Sequence, residues 1–132
     1  MSVVVLDTDV ASALFRRRLP EPLSRQLAGQ VAAVTFVTVG ELTKWTVIRH
    51  WGPTSVARLR SLLDGLLVLP YDTQVAARWG ELQAYVQLRG RPRPVNDTWV
   101  AACCLVRELP LATFKTKDYL DFSEHEGLEL LT

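Results

Sequence analysis

Residues Val3-Val4-Val5-Leu6 form an unbroken apolar, largely β-branched run that stops at Asp7-Thr8-Asp9. Such a run has no polar face to offer water, so it belongs to a strand covered on both sides, as strands of parallel sheets are. A carboxylate at its carboxyl end stands at the sheet edge where doubly wound folds place their ligands. Asp7 or Asp9 would also serve as the N-cap of the helix that follows. Three more acids in comparable places, Glu41, Asp97 and Asp118, favour a site being assembled over a lone cap.

The rest of the chain alternates in the same way. Residues 9–18 read as a helix closed by Arg16-Arg17-Arg18, whose charges suit a helix C-terminus. A short helix after Pro20 and Pro22 ends at Gly29, and residues 31–34 read as a second buried strand. Thr38-Val39-Gly40-Glu41 fits a capping box, so Glu41 has a structural role open to it at the start of a helix running to Trp51. Thr54 or Ser55 caps the next helix, with Leu59, Leu62, Leu63 and Leu66 at helical spacing. A brief strand at 67–69 leads to Asp72, which caps the longest helix. A basic, proline-broken loop, residues 89–94, delivers the chain to Asn96-Asp97 and to a helix apolar nearly all round, Trp99 to Val106. A strand at 111–113, a loop at 114–117 before Asp118 and a last strand at 128–130 complete the chain. Strands alternating with helices predict one α/β domain over residues 1–132 with a mainly parallel sheet.

Composition narrows the function. Fifteen basic residues against fourteen acidic ones leave +1, so any nucleic-acid surface must be local. Cys103 and Cys104 are adjacent and read as small core residues of a reducing compartment. No apolar run reaches the roughly 18 residues of a membrane span, and no secretory signal is read at the N-terminus. A cytoplasmic protein is expected.

In a parallel α/β sheet, strand ends and helix starts share one side. Asp7, Glu41, Asp97 and Asp118 can therefore meet in one cleft. Crowded carboxylates repel unless protons or a cation neutralise them. Oxygen donors, with His50 and His125 lying elsewhere in the sequence, favour Mg²⁺ or Mn²⁺ over zinc.

These residues carry a resemblance. Leu6-Asp7-Thr8-Asp9, the stretch from Thr35 to Leu42, Asn96-Asp97-Thr98-Trp99-Val100-Ala101-Ala102, and Leu111-Ala112-Thr113 leading to Asp118-Tyr119 resemble the successive motifs of PIN domains. The Gly-Glu-Leu and Asn-Asp contexts look most like VapC toxins of bacterial toxin–antitoxin pairs, over residues 3 to 130. The resemblance implies a PIN-like α/β/α sandwich in which Asp7, Glu41, Asp97 and Asp118 bind the catalytic Mg²⁺ or Mn²⁺. Thr8, Asp9, Asn96 and Thr113 would stand beside those ligands. The implied reaction is hydrolysis of phosphodiester bonds in structured RNA, tRNA or rRNA, inhibiting translation and growth. The implied partners are a second copy and a VapB-type antitoxin that blocks the site. No acid is singled out as the general base.

Where many relatives have Asn two residues after the strand's threonine, this chain has Lys115, which puts a cation near the substrate phosphate. Lys115, Lys117, Arg16, Arg91 and Arg93, with Arg17 and Arg89, are the candidate phosphate contacts. Lys115 and Lys117 stand first because they flank the metal loop, and Lys115 is expected to act without affecting metal affinity.

Other readings fit less well. A haloacid-dehalogenase-type phosphatase shares the strand ending Asp-Thr-Asp but needs a later Gly-Asp pair and usually a longer chain. A phosphate-receiving signalling domain needs a mid-chain Asp, and residues 42–63 contain none. A non-catalytic PIN-fold interaction module, docking through the broadly apolar helix around Trp45, is the alternative from a different class.

Overall fold

A computed structural model describes residues 2–131. In chain order the elements are β1 (Val3–Leu6), α1 (Thr8–Phe15), α2 (Glu21–Leu27), β2 (Val31–Thr35), α3 (Phe36–Ile48), α4 (Pro53–Asp64), β3 (Leu67–Leu69), α5 (Thr73–Leu88), α6 (Val95–Arg107), β4 (Leu111–Ala112), α7 (Thr116–Glu126) and β5 (Leu130–Leu131). The strands lie in the order β3-β2-β1-β4-β5, and every pairing is parallel. The apolar run at the N-terminus thus becomes the middle strand. Val4 pairs with Ala32 on one side, and Leu6 with Ala112 on the other.

The period of two along each strand divides the core into two layers. Val5, Ala33 and Leu111 face α5, α6 and α7, packing with Val75, Leu82, Val100, Tyr119 and Phe122. Val4, Leu6, Val34 and Ala112 face the opposite way, onto Val10, Leu23, Leu42 and Leu59 of α1 to α4. The result is an α/β/α sandwich with a parallel sheet, as expected. Cys103 and Cys104 are buried free thiols within α6, and burial pushes the Cys103 thiol up to about 11. Among the described residues no helix is long and apolar enough to cross a membrane.

Several boundaries differ from the sequence reading. Helix α3 begins directly after β2, at Phe36, with Thr35 in the N-cap position. Thr38 and Glu41 are therefore inside the helix, and there is no capping box. The Thr38 hydroxyl bonds across to Thr8 of α1 instead. Helix α3 also stops at Ile48, because His50 turns left-handed and sends Trp51 back to stack on Phe15. Helix α1 ends at Phe15, so Arg16, Arg17 and Arg18 follow the helix rather than filling its last turn. Helix α4 starts at Pro53 with Gly52 before it, not at Thr54 or Ser55. Asp72 does cap α5, its carboxylate accepting the Val75 amide at 2.8 Å.

The largest difference is α7, which occupies the stretch read only as a loop, Asp118 and the approach to a final strand. Only Tyr119 and Phe122 of its three apolar residues go into the core, Leu120 staying exposed on an otherwise polar helix that ends at Gly127 with φ +82°. Leu128 goes into the core, and the last strand shifts to Leu130–Leu131. Helix α7 is tied to α5 by Arg89, whose Nε donates to buried Asp121 at 3.1 Å. Arg89 thus has an intramolecular partner and is not a free phosphate contact.

Candidate active site

Parallel strands place their carboxyl ends together, and the chain leaves β1, β2 and β4 there as Asp7, Thr35 and Thr113. Asp7 is both cap and buried acid. Its Oδ1 accepts the Thr8 amide at 2.9 Å, its Oδ2 accepts the Thr113 hydroxyl at 2.8 Å, and the residue is 2 % exposed. A simple surface cap would keep its water, so burial marks a second role. Burial lifts the Asp7 carboxyl above its ordinary range. The Thr113 hydroxyl, the Lys115 charge and the Thr8 amide oppose that lift, while the Asp97 charge adds to it.

Asp97 reaches the same place from the first turn of α6, with Pro94 in the N-cap position. Between the two acids stands Tyr119, its hydroxyl 3.2 Å from Asp7 Oδ1 and 3.3 Å from Asp97 Oδ1. One phenol has one proton, so it donates to one carboxylate at a time. Burial, and then the charges of Asp7 and Asp97, raise its pKa far above the ordinary value and keep it neutral. Tyr119 was not among the residues expected in the site. The available signal was a tyrosine directly after Asp118, since a buried phenol needs a hydrogen-bond partner.

Lys115 completes this cluster. Its Nζ lies 3.3 Å from Asp97 Oδ1. Burial pulls the ammonium down, but Asp7 and Asp97, the hydrogen bond to Asp97 and the charge of Asp9 outweigh it, and its pKa is raised. Lys115 is therefore the counter-ion of the acids in the absence of substrate.

The other candidates are distributed around this centre. Thr8 donates its hydroxyl to Glu41 Oε1 at 2.9 Å, which links the end of β1 to α3. Asp9 accepts the Phe114 amide at 3.2 Å through Oδ2, while its Oδ1 is buried without a partner among the described residues. Asp118, half-buried in the first turn of α7, has no side-chain hydrogen bond or ion pair among the described residues. Asn96 makes no side-chain hydrogen bond to the acids among the described residues and is exposed on the wall of a cavity between α3 and α6 that Glu41 also lines. Arg91, Arg93 and Lys117 come together around a cavity of ≈ 540 Å³ with Leu120 and Glu124. Arg16 follows the last residue of α1, roughly 14 Å from Asp7 along the helix axis at 1.5 Å per residue, at the opposite end of α1.

The donors suit a hard divalent ion by their chemistry. All are oxygens, several are anionic and buried, and Asp9 Oδ1 is an orphaned acceptor. Among the described residues no three acids stand close enough to cage an ion as they are. The acids are instead held by hydroxyls, amides and one ammonium.

Asp9 leads to a pH prediction. Burial, then the charge of Asp7, lift its carboxyl from 3.8 to about 6. Between those values the folded state binds more protons than the unfolded chain, so this stabilisation is full at low pH and is lost as pH rises through 6. In EDTA, Asp9→Asn should melt close to the parent near pH 4 and a few degrees above it at pH 7.5. Thermal melts across that range check this; a gap that does not change with pH would mean Asp9 ionises freely.

A sequence profile of the PIN domain matches residues 4–123. The chain is 32% identical over 111 residues to Ribonuclease VapC5 of Mycobacterium tuberculosis, covering 83% of this chain and 80% of that protein. Its fold superimposes on VapBC-1 of nontypeable Haemophilus influenzae with a TM-score of 0.84, at 22% identity over 98% of this chain and 96% of that one. It matches VapBC-5 of M. tuberculosis, described as a member of the VapBC family of toxin-antitoxin systems, with a TM-score of 0.72 at 27% identity, covering 99% of this chain and 98% of that one.

Proposed function

The chain belongs to the PIN domain family, in its VapC branch, and from this premise we propose that it is the ribonuclease toxin of a toxin–antitoxin pair, cutting structured RNA with Mg²⁺ or Mn²⁺. The observation that carries the reading is the pair of acids, Asp7 and Asp97, drawn from distant parts of the sequence onto one tyrosine hydroxyl. Folding gains little by crowding carboxylates, and a site that must hold a cation against phosphate does. tRNA or rRNA is the proposed target, with arrest of translation and growth as its consequence.

A bound divalent ion would neutralise phosphoryl charge and supply hydroxide from a bound water near neutral pH. Asp7 and Asp97 would hold it, with Glu41 of α3 and Asp118 of α7 as its further proposed ligands. The Thr8 amide and the Thr113 hydroxyl fix the orientation of Asp7. Thr8 occupies one oxygen of Glu41 and leaves the other to orient or deprotonate a water. Lys115, once released from Asp97, is within reach of a substrate phosphate. Arg91, Arg93 and Lys117 offer phosphate contacts further along the strand.

Binding partners follow from the same reading. Val47 and Ile48 at the end of α3 are 70 % and 62 % exposed, an apolar patch suited to a protein contact. A second copy and a VapB-type antitoxin are the proposed occupants of such surfaces, and the cell's cytoplasm is the proposed setting.

Purified protein should cut cellular RNA at discrete positions with Mg²⁺ or Mn²⁺ and stop on addition of EDTA. Mapping RNA 5′ ends after a brief induction identifies the target. Cleavage that persists in EDTA, or activity confined to phosphomonoesters, overturns the proposal. Growth arrest without RNA cleavage would favour the non-catalytic interaction module.

A further inference from the structure

Beside the acids, between α3 and α6, lies a cavity of ≈ 310 Å³ walled by Phe36, Gly40, Glu41, Lys44, Asn96 and Trp99. That volume is at the small end of ligand pockets, about 300–1,000 Å³. Three features distinguish it from a packing defect. Its aromatic wall is braced from behind: Trp79 stacks on Trp99 at 5.0 Å, and Phe36 meets Trp99 edge-on at 5.7 Å. Its polar groups differ in kind, with a carboxylate, an exposed ammonium and an exposed amide around one opening. Its mouth is kept clear by Gly40.

Gly40 is otherwise unexplained. It lies inside α3, where glycine is a poor helix former. Its φ is not positive, and a methyl group there would meet nothing within 4 Å. Neither backbone geometry nor packing requires glycine; the open space in front of the cavity is what it provides.

We propose that this cavity receives one unpaired nucleobase next to the scissile phosphate, packed on the Phe36–Trp99 wall with its edge on the Asn96 amide. The inference rests on the RNA-cleaving reading and deepens it. Glu41 is shared by the cavity and by the Thr8 link to the acids, so a base seated here belongs to a nucleotide at the reacting centre. An amide can donate to and accept from a base edge, and aromatic platforms hold unstacked RNA bases. A wall already locked by Trp79 loses little freedom on binding. Lys44 at the rim suits the adjoining phosphate. The substrate class is thus RNA presenting a splayed base, in a loop or bulge, at the cut.

The test uses two fluorescent ten-nucleotide single-stranded probes in EDTA, one carrying bases and one an abasic ribose-phosphate chain of equal length. The parent should bind the first about tenfold more tightly, within the 5- to 150-fold expected of one base–aromatic contact. Gly40→Leu places a better helix former at the mouth, so it should melt no lower than the parent while losing most of that preference. Asn96→Ala should change the ranking among homopolymer probes and leave abasic binding unaltered. A parent that cuts RNA but binds both probes alike overturns the nucleobase site alone, as does a folded Gly40→Leu that keeps the full preference. A parent that neither binds nor cuts RNA overturns the RNA reading and this inference with it.

Discussion

Asp97→Asn should abolish RNA cleavage while leaving the metal-free protein as stable as the parent or slightly more so. The N-cap position of α6 belongs to Pro94, so the substitution removes no helix cap. It relieves repulsion with Asp7 and gives up an ion pair to a Lys115 side chain that is 43 % exposed, a pair of small value. The two changes offset each other. Metal binding stabilises the parent by RT ln(1 + [L]/Kd), about 2.7 kcal/mol at a hundredfold excess over Kd. The variant should lose most of that gain. Its cleavage rate should fall by at least ~10², the scale set by losing one group that stabilises transition-state charge. Melts with EDTA and with Mn²⁺, plus one cleavage assay, make the comparison. Normal cleavage with an undiminished metal shift would remove Asp97 from the site.

Lys115→Met should tighten Mn²⁺ binding about tenfold and weaken RNA binding. The ammonium sits 3.3 Å from the carboxylate an incoming ion would use, and like charges at that range compete for it. Two unit charges about 4 Å apart interact by about 1 kcal/mol in water-like surroundings and more where water is scarce, and ~1.4 kcal/mol is tenfold. This revises the sequence-based expectation that Lys115 leaves metal affinity unchanged, since the structure joins it to Asp97. Loss of one phosphate contact should also flatten the salt dependence of RNA binding by about one unit of slope or less. Titration calorimetry with Mn²⁺ and RNA binding at several salt concentrations read the two effects separately. Unchanged Mn²⁺ affinity would mean that Lys115 leaves Asp97 freely in solution. An unchanged salt slope would take it away from the phosphate.

The sheet and most helices were legible because their signals are local. An apolar β-branched run, a helical spacing of leucines and an aspartate three residues before an unpaired amide are properties of neighbours in the chain. Those signals also put Asp7 at a strand end and Asp97 at a helix start. Helix α7 escaped because three clustered apolar residues, Tyr119, Leu120 and Phe122, on a polar segment carry little periodic signal, and with it went the buried Arg89–Asp121 pair and the Tyr119 hydroxyl. Glu41 was placed at a helix start because Thr38 and Glu41 have the spacing of a capping box; β2 runs straight into α3 and overrides it.

By itself the order of residues determined a parallel α/β domain with Asp7 at a strand end and Asp97 at a helix start, and through its motifs the PIN resemblance. Only the tertiary structure decided which side chains share hydrogens and charge. Thr113 bonds Asp7 across 106 residues, Tyr119 joins Asp7 to Asp97, and Lys115 turns inward to Asp97 while Asp118 stays outside that network. Secondary structure is set by interactions a few residues apart, which a sequence displays. The partners of a buried carboxylate are set by how the layers pack, because burial makes an unpaired polar group costly and leaves the choice to whichever remote donor the fold brings within reach.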